Sequence, residues 1–117
     1  MDKTPKQIRL KKDKVTLVVV FHDGDEYELP AEYLRVESPS AEVQGHGPDE
    51  KKTVPGKRDI QIKDIQAVGR YAVRLVFDDG HDSGIYNWEY LDRLGREYDQ
   101  RWAAYLDALD QKGLSRT

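Results

Sequence analysis

Two Asp-Gly dipeptides, each following an apolar run that ends in phenylalanine, constrain the fold of this chain more than any other feature. Val15–Phe21 is rich in β-branched residues and leads to Asp23-Gly24, and the alternating segment Tyr71–Phe77 leads to Asp79-Gly80. Asp-Gly favours the positive φ angles of a tight hairpin turn. A segment suited to a returning strand follows each turn, at 26–29 and at 83–86. The sequence therefore predicts two β-hairpins, with a further strand over 7–11 before the first.

A helix start follows each predicted hairpin. Pro30 suits the first turn of a short helix over 30–35, and Asn87 is a good N-cap for a second helix. Apolar residues then recur every three or four positions and predict one helix of about five to six turns: Leu91, Leu94, Tyr98, Trp102, Leu106 and Leu109. We therefore expect an α+β fold, with two β-hairpin-plus-helix units and a mostly antiparallel sheet packed by a long C-terminal helix. The two units are similar in sequence, and both an internal repeat and a chance likeness are compatible with this.

The 117 residues suit one domain, because two hydrophobic cores need a longer chain. We assign residues 1–110 to this domain and 111–117 to a frayed C-terminal tail. Residues 44–58 contain three glycines and two prolines around a run of charges, so they are predicted to form a flexible, exposed loop.

Composition excludes several classes of function. The chain has no cysteine, which rules out disulfides, thiolate nucleophiles and cysteine-ligated metal sites within it. Lys and Arg number 19 against 22 Asp and Glu, so no general positive field attracts nucleic acid. No apolar run approaches the roughly 20 residues of a membrane helix, and the N-terminus lacks the apolar segment of a signal peptide. We expect a cytoplasmic protein that binds neither nucleic acid nor membrane.

Candidate chemistry is limited to the two turns. His22 and His81 lie beside several aspartates, and both residue types bind metal ions. However, polar residues are expected at exposed hairpin turns in any case, and the spacing matches neither a calcium loop nor a His-x-x-x-His pair. No serine lies in a Gly-x-Ser-x-Gly setting. The sequence therefore predicts no enzyme, and leaves a metal site as an alternative.

Tyrosine and tryptophan are common near the C-terminus, and both are enriched in protein interfaces. Tyr98 and Trp102 lie on the apolar stripe of the predicted helix, which favours core positions for them. We predict that the remaining aromatic residues of this region form an interaction surface: Tyr86, Trp88, Tyr90 and Tyr105.

Three segments together resemble the γ-butyrobetaine hydroxylase-like N-terminal domain family. They are Leu-Pro-Ala-Glu-Tyr-Leu-Arg at 29–35, Val-Gly-Arg-Tyr-Ala at 68–72 and Phe-Asp-Asp-Gly-His-Asp-Ser-Gly-Ile-Tyr-Asn-Trp-Glu-Tyr-Leu at 77–91. In the hydroxylases of this family the domain precedes an iron and 2-oxoglutarate oxygenase domain, and a similar domain accompanies P-loop iron–sulfur carriers in other proteins. Neither companion is found within these 117 residues.

The resemblance also implies a structural zinc, held in the hydroxylases by three cysteines and one histidine. His81 matches the histidine, but Ser38, Ser40 and Val43 stand at the cysteine positions, so we expect that this zinc site is lost.

From these features we predict a non-catalytic accessory or protein-interaction module, whose partner is an iron–sulfur cluster carrier or an oxygenase, with a homodimer left open. The alternative is a protein that binds zinc or iron through His81 together with His46 and Asp79, without the cysteine ligands.

Overall fold

The computed structural model describes residues 3–117, which form six strands and four α-helices. The strands make two three-stranded antiparallel sheets, ordered β1-β2-β3 and β4-β5-β6. They are β1 Pro5–Leu10, β2 Thr16–Phe21, β3 Glu26–Pro30, β4 Ile62–Val68, β5 Ala72–Phe77 and β6 Ile85–Asn87. The helices are α1 Ala31–Val36, α2 Ala41–Gln44, α3 Trp88–Arg96 and α4 Tyr98–Gln111, with a short 3-10 helix at Pro48–Glu50. The α+β class and both hairpins are confirmed, although the strands are divided between two sheets.

One core joins the two sheets. The central strands β2 and β5 each end in a buried phenylalanine, Phe21 and Phe77, and both rings belong to the same apolar cluster. Tyr33 of α1, Tyr86 of β6 and Leu94 of α3 complete it and are fully buried. Full burial of one such side chain contributes about 1.5–3 kcal/mol, so this shared core is the main force that holds the two units together.

The predicted single C-terminal helix is divided. Glu97, with φ −103° and ψ 17°, separates α3 from α4. α3 approaches β3 so closely that a Cβ on Gly95 would lie 2.4 Å from the Tyr27 ring. α4 packs on both apolar clusters: Tyr98 and Trp102 contact the main core, while Tyr105 and Leu109 form a second cluster with Val36.

The predicted flexible loop and frayed tail are held against the domain. The Lys52 amide donates to Val43 O at 2.7 Å, and the amide of Gly56 donates to Ser115 O at 2.9 Å. Arg116 then forms two hydrogen bonds, of 2.7 and 2.8 Å, with the nearly buried Glu32 carboxylate. This pairing could not be predicted from the sequence, because Glu32 and Arg116 are far apart along the chain.

Within residues 3–117, no helix is both long enough and apolar enough to span a membrane.

Candidate functional site

The turn between β5 and β6 determines the position of His81. Gly80 has a φ of +91°, which only glycine adopts easily, and this lets the chain reverse between β5 and β6. The Asp79 carboxylate accepts a hydrogen bond from the backbone amide of His81 at 3.0 Å, and this bond stabilises the turn. His81 is therefore turned inward, with only 6% of its surface exposed.

Both ring nitrogens of His81 have partners in the segment that follows α1. Nδ1 lies 2.9 Å from Glu42 Oε2, and Nε2 lies 2.9 Å from Ser38 Oγ. An ionised carboxylate only accepts hydrogen bonds, so the proton of a neutral imidazole lies on Nδ1. Nε2 is then an acceptor, and the Ser38 hydroxyl donates to it.

The surroundings of His81 favour this neutral form. Burial lowers the pKa of His81 below its usual value, and the nearby Arg35 guanidinium lowers it further. Glu42 and Asp79 raise the pKa but do not outweigh burial. The ring is consequently a hydrogen-bonding element that takes up a proton less readily than a free histidine.

Two further residues of the turn complete the contact. The Ser83 hydroxyl lies 2.7 Å from the Ser40 hydroxyl. Ser40 Oγ also accepts a hydrogen bond from the backbone amide of Glu42 at the start of α2. A Cβ on Gly84 would lie 2.5 Å from Ser38 Oγ, so only glycine fits there without displacing a neighbour. We call the set Ser38, Ser40, Glu42, His81 and Ser83 the His81 clamp. It ties the segment after α1 to the β5–β6 turn.

Ser38, His81 and Glu42 have the hydrogen-bond order of a nucleophile, a base and an acid that orients the base. A nucleophile must also reach its substrate, whereas Ser38 is fully buried. The main cavities formed by residues 3–117 are lined by other side chains. The arrangement therefore stabilises the fold, and a substrate cannot reach it without local opening.

The zinc site implied by the family resemblance does not fit this donor set. Ser38 and Ser40 are neutral hydroxyls, Val43 has no donor atom, and His81 Nε2 already accepts a hydrogen bond. Structural zinc requires four strong ligands, most often thiolates and imidazoles. Hydrogen bonds engage the side chains of Ser38, Ser40 and His81, and an apolar side chain stands at the fourth position, Val43.

The alternative metal set of His81, His46 and Asp79 is not gathered into one site. Residues 3–117 contain no group of three or more His, Cys, Asp or Glu side chains arranged to hold a metal ion. Both nitrogens of the His81 ring have partners, whereas His46 is exposed on the 44–58 loop. The Asp79 carboxylate binds two cations instead, with Arg35 Nε at 2.9 Å and Lys57 Nζ at 2.7 Å.

Asp79 is held ionised by these contacts. Burial alone raises the pKa of Asp79, but hydrogen bonds from Lys57, the His81 amide and Arg35 outweigh it and bring its pKa to about 2. Arg35 Nη1 is buried and has no hydrogen-bond partner among residues 3–117. Asp79 therefore neutralises the Arg35 guanidinium, whose hydrogen-bond donors are only partly paired.

Two of the four predicted surface aromatic residues are internal, which corrects that prediction. Tyr86 and Tyr105 are buried, and their hydroxyls donate to Leu34 O and Val54 O. Each tyrosine hydroxyl has a hydrogen-bond partner within the fold, and this allows burial of the whole side chain. Burial raises the pKa of Tyr105 to about 12.

The other two predicted surface aromatics, Trp88 and Tyr90, are half-buried. The Tyr90 hydroxyl donates to Glu37 O, and burial raises the pKa of Tyr90 to about 12. Trp88 Nε1 donates to Arg70 O at 2.8 Å, and its backbone amide donates to Tyr71 O at 3.1 Å. Trp88 therefore lies beside the β4–β5 turn, with part of its surface in solvent.

An exposed apolar side chain lies beside Trp88, and a second lies three residues earlier in the chain. Tyr71 is 75% exposed, and Ile85 of the edge strand β6 is 49% exposed. We call Tyr71, Ile85 and Trp88 the contact face. The alternation of 71–77 placed Tyr71 on the inner side of a strand, but β5 begins at Ala72 and Tyr71 belongs to the preceding turn. Sequence reasoning therefore missed it.

Comparison with known proteins agrees with the fold. Residues 8–92 match the sequence model of a family described as gamma-butyrobetaine hydroxylase-like, N-terminal. A protein solved in solution by NMR is 47% identical, with a TM-score of 0.83 over 97% of this chain and 90% of its own. A second NMR structure is 41% identical, with a TM-score of 0.84 over 98% of this chain and 86% of its own.

A crystal structure of a protein of unknown function from Acidithiobacillus ferrooxidans is also similar. It is 37% identical, with a TM-score of 0.68 over 81% of this chain and 98% of its own. No curated protein matches this chain.

Proposed function

Since this chain belongs to the family of gamma-butyrobetaine hydroxylase-like N-terminal domains, we propose that it is a non-catalytic protein-interaction module. The observation that supports this most is the exposure of Tyr71 beside Trp88, together with the exposure of Ile85 three residues before Trp88 in the chain. Large apolar side chains grouped on a surface favour contact with another protein, whereas scattered ones are ordinary. The buried Ser38 hydroxyl supports the non-catalytic part of the proposal.

The edge strand β6 adds to the suitability of the contact face. It pairs with β5 on one side only, so the backbone groups of its other side are available to a strand of a partner. The Arg74 backbone lies opposite Ile85 in the sheet, but its side chain is held by Gln66 of β4, on the other side of β5, and lies 4.0 Å from Asp82. A partner with an apolar patch and a strand that can pair with β6 fits this combination.

The family resemblance directs the choice of partner. We infer an iron–sulfur cluster carrier of the P-loop type as the first candidate and an iron and 2-oxoglutarate oxygenase as the second. Both are proteins that similar domains accompany. Either partner contributes the chemistry, and this chain contributes a rigid docking surface.

Calorimetric titration of this protein with each purified partner tests the proposal. Replacement of Tyr71 and Ile85 by serine is expected to weaken binding at least tenfold, because each is a candidate hot spot worth more than about 1 kcal/mol. The matched control replaces Leu106 and Leu114, which are 39% and 40% exposed elsewhere on the chain, and is expected to bind normally. Equal affinities for the two double variants, or no binding to either partner, would contradict the proposal.

The alternative proposal is that His81 binds zinc or iron in solution with other ligands. It requires the ring to leave Ser38 and Glu42, since both nitrogens have partners. Titration of the protein with zinc and ferrous iron, followed through the ring signals of His81, decides between the proposals. Saturable shifts at one equivalent favour the metal-binding protein, and unchanged signals exclude it.

A further inference from the structure

A cavity lies between α4 and the 44–58 loop, away from the contact face. Its volume is about 230 Å³. The apolar part of its lining consists of Val36, Ala104, Tyr105 and Ala108. Tyr105 cannot turn away from this position without losing the hydrogen bond from its hydroxyl to Val54 O. The floor of the cavity is therefore apolar and held in place.

The charged part of the lining is mostly positive. It consists of three cations, Lys51, Lys52 and Arg101, and one carboxylate, Glu37. In a chain whose net charge is −3, this is a local excess of positive charge. Such an excess beside an apolar floor attracts an anion that also has an apolar body.

The Glu37 carboxylate does not repel this anion, because cations already neutralise its oxygens. Lys51 Nζ lies 2.9 and 2.8 Å from the two oxygens of Glu37, and Arg101 Nη1 lies 2.8 Å from Oε1. Only 3% of the Glu37 side chain is exposed, whereas Lys51 keeps 37% in contact with solvent. Glu37 thus fixes two cations at the cavity and leaves the outer side of Lys51 open.

Arg101 is held from a second direction as well. Its Nε donates to Glu97 at 2.8 Å, and Glu97 lies outside the lining of the cavity. Lys51 and Arg101 also line a neighbouring, more open cavity with Gln44, Gly45 and Gly47. The same cations are thus reached from bulk solvent on that side.

We propose that the cavity binds a small organic carboxylate, with its apolar body against Ala104 and Ala108 and its carboxylate at Lys51 and Lys52. An apolar cavity of about 150 Å³ accommodates benzene. A volume of about 230 Å³ therefore suits a ligand of roughly nine or ten non-hydrogen atoms. The proposed function as a protein-interaction module does not require this site, because the contact face shares no residue with the lining.

Titration of the 15N-labelled protein with benzoate tests the proposal, and benzamide is the uncharged probe of equal shape. Saturable amide shifts in 51–53 and 104–108 are expected for benzoate, with an affinity at least tenfold above that for benzamide. Equal affinities would overturn the role of charge. A third probe, inorganic phosphate, tests charge alone: shifts at Lys51 and Lys52 with phosphate but none at Ala108 with benzoate would overturn the proposed site.

Two pairs of variants locate the binding. Ala108→Leu fills the cavity and is expected to abolish benzoate binding, whereas Ala103→Leu, on the exposed side of α4, is expected to retain it. Lys52→Gln removes an exposed cation of the lining and is expected to weaken binding severalfold, while Lys63→Gln on β4 leaves it unchanged. Retention of full affinity by Ala108→Leu would overturn the proposal, since that variant keeps every charge.

Discussion

Replacement of His81 by leucine removes the centre of the His81 clamp while it keeps an apolar side chain of similar size. The fully buried Ser38 hydroxyl then loses its acceptor, and a buried polar group without a partner costs about 1–3 kcal/mol. This cost already includes the loss of the bond itself. The Glu42 side chain is 68% exposed, so water replaces its bond to His81 at little cost. We expect His81→Leu to lower the free energy of unfolding by about 1–3 kcal/mol.

A double-mutant cycle separates this bond from general packing. Ser38→Ala alone leaves His81 Nε2 without its donor, so it also destabilises the protein. The double variant leaves neither group unpaired, and we expect its cost to be smaller than the sum of the single costs by about 1–2 kcal/mol. Urea unfolding at pH 7.5, followed by tryptophan fluorescence, gives all four free energies.

The matched control is His22→Leu, because His22 is exposed at the first turn. We expect this variant to change the free energy of unfolding by less than about 0.5 kcal/mol. Strictly additive costs for His81 and Ser38, or a cost of His81→Leu no larger than that of the control, would refute the clamp.

Three further predictions concern the same region. The pKa of His81 is lowered in the folded state, so the unfolded state binds more protons as the pH falls below about 6.5 and stability is lost on acidification. In urea unfolding between pH 7.5 and 5.5, the wild-type protein is therefore expected to lose up to about 1 kcal/mol more stability than His81→Leu. Gly84→Ala places a methyl group against Ser38 Oγ and is expected to cost about 1–3 kcal/mol in the same assay, and an unchanged midpoint would show that the contact is loose. Replacement of Ser38, Ser40 and Val43 by cysteine is expected to create a site for one zinc ion together with His81, measured by elemental analysis after dialysis, while the wild-type protein retains none under the same conditions.

The hairpins were predictable from the sequence because their signal is local. An Asp-Gly pair after an apolar run gives the turn, and the positive φ of Gly24 and Gly80 agrees with that reasoning. The apolar stripe from Leu91 to Leu109 was likewise visible. Its division at Glu97 was not, because glutamate is a common helix residue and does not mark a break. The close approach of Gly95 to Tyr27 was not visible either, because Tyr27 lies far away along the chain.

The candidate site was predictable only in part, for the same reason. The resemblance placed Ser38, Ser40 and His81 together, and the structure brings them together as hydrogen-bonding groups. Nothing in the sequence marked Glu42 as the partner of the ring, because an exposed glutamate at the start of a helix is ordinary. Aromatic residue type predicted a surface for Tyr86 and Tyr105, but burial depends on the neighbours that the fold supplies.

His81 is a neutral, hydrogen-bonded side chain at the position where the family resemblance implies a metal ligand. The most direct measurement is the NMR spectrum of the 15N-labelled His81 ring at pH 7, recorded with and without one equivalent of zinc. We predict a proton on Nδ1, an acceptor signal from Nε2, and no change when zinc is added. A ring protonated on Nε2, or ring signals that move to those of a metal ligand on addition of zinc, would contradict the account.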